Sequence, residues 1–481
     1  MKKNLDKWII TTVVIVVNLL LWIIPSDLAY NVAQERDILL GRYTVDRFTT
    51  LLLLIPVSVL ILCSVWSKKK NRTKEDWFRF IAVSISVVFS IIIVDVFLRV
   101  MQRQHYVKET GYYHRIANTT NSGVAEDIPR TAFSYPTTPP GYPDIKYTLT
   151  IDKRGFRNKS DLEKYDVVVL GDSFTEGSNV SDEQAWPALF AEKSNYTVYN
   201  MGMSAGSPVT YLETLKRFGL GLSPKVVVCM LYEGNDFRAA NFSAEQSDDG
   251  SSLRNLFKTS PLRQSIMRAL IRCLGPINSN RQENSDAGQN KVRPFTPSHP
   301  LYAVSWLPLA IPDGDNAKYY AFKVKRLLAH LESREEFINS DGCKATFDVL
   351  REIKKICDEK NIRLIILYAP DKPHTLLPLV SRKISPEQLR AFMSLKEDNL
   401  PPAGELMETV IRHLSIQESV IEEFCRQESI EFVTLTEPLR QKILEGQQAY
   451  FTYDQHWTPI GQQVAAETLH RYMENTLENG Q

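Results

Sequence analysis

Three long apolar runs crowd the first hundred residues, and no other feature limits the folding of this chain so strongly. They extend from Trp8 to Ile24, from Phe48 to Trp66 and from Trp77 to about Val100. A helix that crosses a bilayer needs about 20 mostly apolar residues. One such run would suit a protein core equally well. Three in close succession, with little polar interruption, predict three membrane-spanning helices. Basic residues orient them. Lys2, Lys3 and Lys7 precede the first run, and Lys68, Lys69, Lys70, Arg72 and Lys74 fill the short loop between the second and third. Both segments are expected on the cytoplasmic side, and everything after Val100 on the other. The residues Pro25-Ser26-Asp27-Leu28 hold no small-residue cleavage pattern, so the first span is expected to be retained rather than removed as a signal peptide. Two polar residues lie within the spans. Asn18 is uncharged, and Asp95 is close enough to the outer end of its span to reach the headgroups.

The rest of the chain has a different character. Lys plus Arg number 57 and Asp plus Glu 56, a net charge of +1, which argues against a nucleic-acid-binding protein. With 43% hydrophobic and 23% charged residues, the chain is not wholly disordered. Its 481 residues suit about three units of roughly 150 residues each. The cysteines Cys63, Cys229, Cys273, Cys343, Cys357 and Cys425 show no CxxC or zinc-like spacing, and nothing predicts a metal or a cofactor. Cys229 sits in an apolar run and reads as a packed thiol. In an oxidising compartment Cys273, Cys343, Cys357 and Cys425 could form disulfides, whose pairing the sequence leaves open.

The expected organisation is a membrane region over 1–100, a connector over 101–160 and a catalytic-type domain over 161–481. The connector is polar and turn-rich, as in Pro136-Thr137-Thr138-Pro139-Pro140-Gly141. Beyond it come short β-branched runs: Tyr165 to Leu170, Tyr196 to Tyr199, Lys225 to Leu231, Ile362 to Tyr368 and Ile430 to Leu435. Helical spacing separates them over Glu183 to Lys193, Val209 to Phe218, Lys344 to Lys360 and Glu418 to Gln427, and a last helix is expected from Pro459 to Glu474. Continuous apolar strands alternating with helices predict a parallel sheet covered on both faces, a doubly wound α/β fold. A polar stretch at about 241–315 interrupts the pattern. It reads either as a disordered insertion or as a lid.

Ligands bind such sheets beyond the carboxyl ends of the strands. After the first run stands Gly171-Asp172-Ser173-Phe174-Thr175-Glu176-Gly177, with a serine at the strand-to-helix turn. After the second is Asn200-Met201-Gly202, and after the third Glu233-Gly234-Asn235-Asp236, whose asparagine offers a side-chain amide to an oxyanion. Near the C-terminus lies Asp454-Gln455-His456-Trp457, with Thr458 as N-cap and Pro459 at the first helical position. An Asp–His pair at the mouth of a sheet can serve as a base and its orienter. His105, His114, His299, His330, His413 and His470 lack partner motifs and read as core or surface residues.

This ordered set resembles the SGNH (GDSL) hydrolase superfamily, named for Ser, Gly, Asn and His in four blocks. The resemblance covers roughly Ser160 to the C-terminus apart from the insertion. It implies a flavodoxin-like three-layer sandwich. It also implies a catalytic set of Ser173, His456 and Asp454, with an oxyanion hole from Ser173, Gly202 and Asn235. Two positions depart from the family pattern: Glu233 stands where the third block usually has glycine, and the last block reads D-x-H rather than D-x-x-H. Asp454-Gln455-His456-Trp457-Thr458 is also similar to the D-x-H-W-[ST] signature of SGNH-like alginate O-acetyltransferases, and Pro370-Asp371-Lys372 to a Pro-x-Lys segment of that group. There, however, the Asp–His pair precedes the nucleophile, whereas here it follows Ser173 as in esterases. Lys372 is read as a loop lysine at a strand end, with His374 as an accessory group nearby.

The resemblance implies that His456 takes the Ser173 proton, that Ser173 attacks an ester carbonyl and that an acyl-enzyme forms. Water would then complete an esterase cycle, and a sugar hydroxyl an O-acyltransferase cycle. The expected function is a membrane-anchored extracytoplasmic esterase for O-acyl, above all O-acetyl, groups of a cell-envelope or exported glycan, or of a small ester. The alternatives are a glycan O-acetyltransferase working with a membrane acyl-donor partner, and a non-catalytic scaffold of the same fold.

Overall fold

The computed structural model describes residues 2–23, 38–39, 43–44, 106–109, 112–125, 127, 141–238, 306–311, 317–394 and 396–478, with the single positions 51, 58, 62 and 65. Helix α1 (Lys2–Ile23) covers the first apolar run, and Trp8, Ile9, Val13 and Leu19 on it are exposed. Asn18 donates to the Val14 carbonyl at 2.8 Å and to Ser58 Oγ at 2.9 Å. Among the described residues no helix is long and apolar enough to cross a membrane. The three expected spans are therefore not carried by those residues. The first falls on α1, the second is described only at single positions, and the third lies outside them with Asp95 and the lysine-rich loop.

The expected connector is folded structure over its described part. Strands β1 (Thr119–Ala125) and β2 (Ile145–Ile151) pair as an antiparallel hairpin, with Thr119 opposite Ile151 and Ala125 opposite Ile145. Just beyond it Arg157 is buried. Its guanidinium donates to Asp182 at 2.8 Å, to the Glu176 carbonyl at 2.9 Å and to the Val180 carbonyl at 2.7 Å. A buried charge is tolerated only when paired and fully hydrogen-bonded, and this one meets both conditions. It ties the connector to the loop that follows the serine turn.

In chain order the domain then runs β3 (Val167–Leu170), α2 (Ser173–Glu176), α3 (Trp186–Ser194), β4 (Val198–Asn200), α4 (Pro208–Thr214) and β5 (Val226–Tyr232). An antiparallel hairpin, β6 (Trp306–Ile311) with β7 (Lys318–Lys323), follows. After it come α5 (Asp341–Glu359), β8 (Arg363–Ala369), α6 (Lys372–Val380), α7 (Ile416–Gln427), β9 (Glu431–Thr434) and α8 (Pro459–Glu478). The sheet order is β4-β3-β5-β8-β9, with every neighbouring pair parallel.

The period-2 alternation of strand side chains feeds two separate cores. Val167, Val169, Val226, Val228 and Met230 face one side with Trp186, Phe190, Val464 and Leu469 of α3 and α8. Val168, Leu170, Val227, Cys229 and Leu231 face the other with Tyr211, Leu350, Ile353 and Phe424 of α4, α5 and α7. Burial on both faces is why these strands read as unbroken apolar runs, and the fold is the expected α/β sandwich with a parallel sheet. The winding reverses between β3 and β5, so a crevice opens beyond their carboxyl ends.

Cys229, Cys343, Cys357 and Cys425 are buried unpaired thiols. The disulfides considered for Cys343, Cys357 and Cys425 are absent among the described residues, because each side chain is packed into the core facing α5 and α7. Cys63, Cys273 and most of the 241–315 insertion lie outside the described residues. The end of that insertion is β6.

Candidate active site

The serine turn is shaped by backbone geometry. Gly171 follows β3 at φ +156°, and a Cβ there would stand 2.1 Å from Thr175 Oγ1, so only glycine fits. Asp172 then acts as the N-cap of α2, accepting from Phe174 N at 2.9 Å through one carboxylate oxygen. Its other oxygen accepts from Asn235 Nδ2 at 3.0 Å. Ser173 is the first residue of α2, where a backbone N–H has no intrahelical acceptor. Burial raises the Asp172 carboxyl above its ordinary value, against the opposing pull of the Phe174 and Asn235 hydrogen bonds. Asp172 is thus the link between the first and third sequence blocks, a role the sequence analysis did not assign. The run Asp-Ser-Phe-Thr-Glu at a helix start was the available signal.

The acid–base loop meets this turn from the C-terminal end of the chain. His456 Nε2 lies 2.7 Å from Ser173 Oγ. His456 Nδ1 makes a short hydrogen bond to Asp454 Oδ1, and the same oxygen accepts the His456 backbone N–H at 2.8 Å. The two-residue spacing is what permits this double contact, because an aspartate naturally hydrogen-bonds the backbone two residues on. The D-x-H departure from the family pattern therefore leaves Asp454 aligned on the imidazole. Phe174 packs against the His456 ring with centroids 5.0 Å apart and against Trp457 at 4.8 Å, which limits ring rotation. Thr458 begins α8 as expected, its carbonyl accepting from Gln462 N at 3.1 Å, but its hydroxyl donates to the Gln448 carbonyl instead of capping the helix.

The charges are mutually adjusted. Crowding by protein atoms works to lower the imidazole pKa, but the Asp454 charge and hydrogen bond outweigh it and hold His456 above its ordinary value, with a further contribution from Asp172. Crowding works to raise Asp454, yet His456 and, more weakly, Lys372 hold it well below the usual carboxylate range. The pair is not sealed: the side chains of His456 and Asp454 are 24% and 42% exposed.

The expected oxyanion donors divide. Ser173 and Asn235 stand together at the turn, linked through Asp172. Gly202 does not fit the part, because its N–H donates to Asn200 Oδ1 at 2.8 Å. Its lack of a side chain serves packing instead. A Cβ there would be 2.2 Å from Glu176 N and 2.5 Å from the Thr175 carbonyl carbon, so the glycine lets the chain after β4 lie against the backbone of α2. Asn200, the last residue of β4, also donates to the Thr175 carbonyl at 3.0 Å.

Lys372 is not a solvent-facing loop lysine. It is fully buried at the start of α6, donates to the Thr452 carbonyl at 3.0 Å, and is brought down to about 7 by burial despite the nearby carboxylates of Asp127 and Asp454. His374 is buried, with one ring nitrogen 3.0 Å from Glu233 and the other 3.5 Å from Glu418. Among the described residues no group of His, Cys, Asp and Glu side chains could hold a metal ion.

Residues 405–481, which include the acid–base loop, match the family described as SGNH hydrolase-like domain, acetyltransferase AlgX. No curated protein matches the chain. Solved structures similar to it include a GDSL-like lipase from Bacteroides thetaiotaomicron (12% identity over 64% of this chain and 88% of that one, TM-score 0.29). TesA (12%, 64% and 98%, TM-score 0.30) and the acetyl xylan esterase AlAXEase (10%, 64% and 98%, TM-score 0.27) are others. The strand order, the serine turn and the match at the acid–base loop agree, and the chain resembles the SGNH (GDSL) hydrolase superfamily, with a further likeness to the AlgX acetyltransferases.

Proposed function

We propose that this protein is a serine-dependent acyl-transfer enzyme that cleaves O-acyl, above all O-acetyl, esters through Ser173, His456 and Asp454. The single observation that carries this reading is the unbroken line of hydrogen bonds from Ser173 Oγ to His456 Nε2, and from His456 Nδ1 to Asp454. His456 accepts the hydroxyl proton as Oγ attacks the ester carbonyl. Asp454 holds the reactive tautomer and stabilises the imidazolium that forms. The Ser173 N–H and the Asn235 amide, fixed by Asp172, donate to the oxyanion. His456 returns the proton to the leaving alcohol, and an acyl-enzyme remains. Water, activated by the same imidazole, then releases the acid and regenerates Ser173. The partial exposure of His456 and Asp454 favours water as the acceptor.

A sugar hydroxyl as acceptor is the second reading, and the observation behind it is the AlgX acetyltransferase match over the acid–base loop. Anchoring to a membrane with the domain outside the cytoplasm, and partnership with a membrane acyl donor, belong to the same proposal. Their support is the three apolar runs, the lysine-rich loop and the exposed apolar side chains of α1.

The test is a product assay on acetylated oligosaccharide. Purified protein is expected to release free acetate and to be labelled at Ser173 by a fluorophosphonate. Unacetylated oligosaccharide is expected to inhibit weakly without gaining acetyl groups. A Ser173-dependent acetyl adduct on that acceptor moves the assignment to O-acetyltransferase, and undiminished turnover by Ser173→Ala removes the mechanism.

A further inference from the structure

The acid–base loop is held from an unexpected direction. Asp127 lies in the expected connector, more than three hundred residues before the loop, and is almost fully buried. Its carboxylate accepts from three successive backbone N–H groups: Thr452 at 2.6 Å, Tyr453 at 3.0 Å and Asp454 at 3.1 Å. A fourth N–H, from Tyr142, reaches it at 2.8 Å. The Tyr142 ring packs edge-on against Phe451 with centroids 5.3 Å apart, so connector and loop also share an apolar contact. On the far side of the loop, Lys372 Nζ donates to the Thr452 carbonyl. Residue 452 is therefore held at both its N–H and its carbonyl, by the buried carboxylate of Asp127 and the buried amine of Lys372.

Consecutive N–H groups converging on one anion form a nest, and charge-assisted hydrogen bonds are roughly twice as strong as neutral ones. The last N–H in this nest belongs to Asp454, whose carboxylate orients His456. The backbone of Asp454 thus has no freedom independent of Asp127. No other described side chain fixes Asp454 N. Asparagine would match the shape but place an amide donor against N–H groups, which would turn part of the contact repulsive.

We propose that Asp127 is a positioning residue for the acid–base pair, acting through the Asp454 backbone, so that the connector completes the active site rather than merely tethering it. This rests on the reading of His456 and Asp454 as base and orienter. In outline, Asp127 fixes Asp454, Asp454 fixes the imidazole, and the imidazole fixes the reactivity of Ser173. Around His456 stand Asp454 on Nδ1, Ser173 on Nε2 and the Phe174 ring, with Asp172 adding to the elevation and Lys323 opposing it. The contact by which Asp127 reaches the pair is the Asp454 backbone N–H.

The experiment uses the full chain and two independent readouts. The first is the imidazole pKa of His456, followed by NMR of ring-labelled histidine in a Ser173→Ala background, where turnover plays no part. Asp127→Asn is expected to lower it toward the ordinary histidine value of about 6.5. The second is a double-mutant cycle on ester cleavage. Asp127→Asn is expected to lower kcat roughly tenfold with little change in KM, and the double variant with Asp454→Asn to be no slower than Asp454→Asn alone. An unmoved imidazole, or losses that multiply, overturns the proposal. If Asp127→Asn gives no thermal unfolding transition, Asp127→Glu takes its place. Its extra methylene displaces the carboxylate while keeping the charge, and the same shift and the same non-additivity are required of it. A wild-type protein with no esterase or transferase activity, but with the imidazole shift intact, refutes the enzymatic reading and leaves the positioning role standing.

Discussion

Histidine–carboxylate pairs in two regions of the molecule differ in access rather than in chemistry. His456 with Asp454 stands at the open end of the sheet, partly exposed, with a serine hydroxyl 2.7 Å from the second ring nitrogen. His330 with Asp371 and His374 with Glu233 form a cluster around the start of α6. His330 Nε2 is 3.2 Å from Asp371, His374 Nδ1 is 3.0 Å from Glu233, and Asp371 N donates to Glu233 at 2.9 Å. All four side chains are within 2% of complete burial. There the second nitrogen of His374 faces another carboxylate, Glu418 at 3.5 Å, rather than a nucleophile. On the proposed mechanism a histidine held by a carboxylate is half of a catalytic unit. The other half is the half-buried Ser173 hydroxyl at the turn after β3. Glu233, at the position where the family pattern has glycine, belongs to the sealed cluster, so the departure in the third block reflects packing and leaves Asn235 untouched.

The sharpest way to break this comparison is to remove the chemistry from each region in turn. Ser173→Ala is expected to lower kcat by at least about 10³-fold while leaving the unfolding temperature unchanged. Asp454→Asn should cost up to about 10⁴-fold, since the carboxylate is fully engaged with the imidazole and its loss releases the tautomer. His330→Ala should leave kcat near the wild-type value. Steady-state kinetics on an acetyl ester checks all three, and comparable losses from His330→Ala would abolish the distinction between the regions. Asn235→Ala is expected to lower kcat by about 10²–10³-fold, as removal of an oxyanion donor does, and it also strips Asp172 of one hydrogen bond.

The two regions were unequally legible in the sequence. The strands could be read because both faces of β3, β5 and β8 are buried, which writes continuous β-branched runs. Ser173, Asn235, Asp454 and His456 could be read because each follows or precedes such an element. Asp127 could not, since a single aspartate in a turn-rich stretch carries no local pattern and its partners lie more than three hundred residues away. Lys372 looked like a loop residue because the helix that buries it opens with it, followed by Pro373. The Gly202 donor was misassigned because nothing in the sequence foretells that Asn200 takes its N–H. The missing pieces are tertiary contacts between groups with no periodic signature.

His330→Ala also sharpens the comparison in the other direction. It leaves the buried Asp371 carboxylate with the His374 N–H but without its histidine partner, and breaking a buried pair typically costs about 3–5 kcal/mol. Urea unfolding should move by about that amount for His330→Ala and by much less for Ser173→Ala. A shift of under about 1 kcal/mol would mean that the cluster has no structural weight.

The smallest expected effect follows from the sign of the titrations. In both regions a carboxylate charge overcomes burial and holds a histidine above its ordinary value, Asp454 for His456 and Asp371 for His330. For His456 the consequence is catalytic. A general base must be neutral, so kcat/KM should rise with pH to a plateau whose acid limb lies above about 6.5, and Asp454→Asn should move that limb down. For His330 the consequence is stability. A folded-state pKa raised above the unfolded one contributes stability that is complete below about 6.5 and is lost as pH rises through the folded value, at about 1.4 kcal/mol for each unit of elevation. Activity and the His330 contribution to stability are therefore expected to run in opposite directions as pH rises from 6 toward 9, while Lys372, brought down to about 7 by burial, adds stability over the same range. Calorimetry and kinetics over that range check it together. The stability difference between wild type and His330→Gln should shrink as pH rises while the activity profile stays in place, because the buried histidine does not contact Ser173 and His456 has no share in the buried pair.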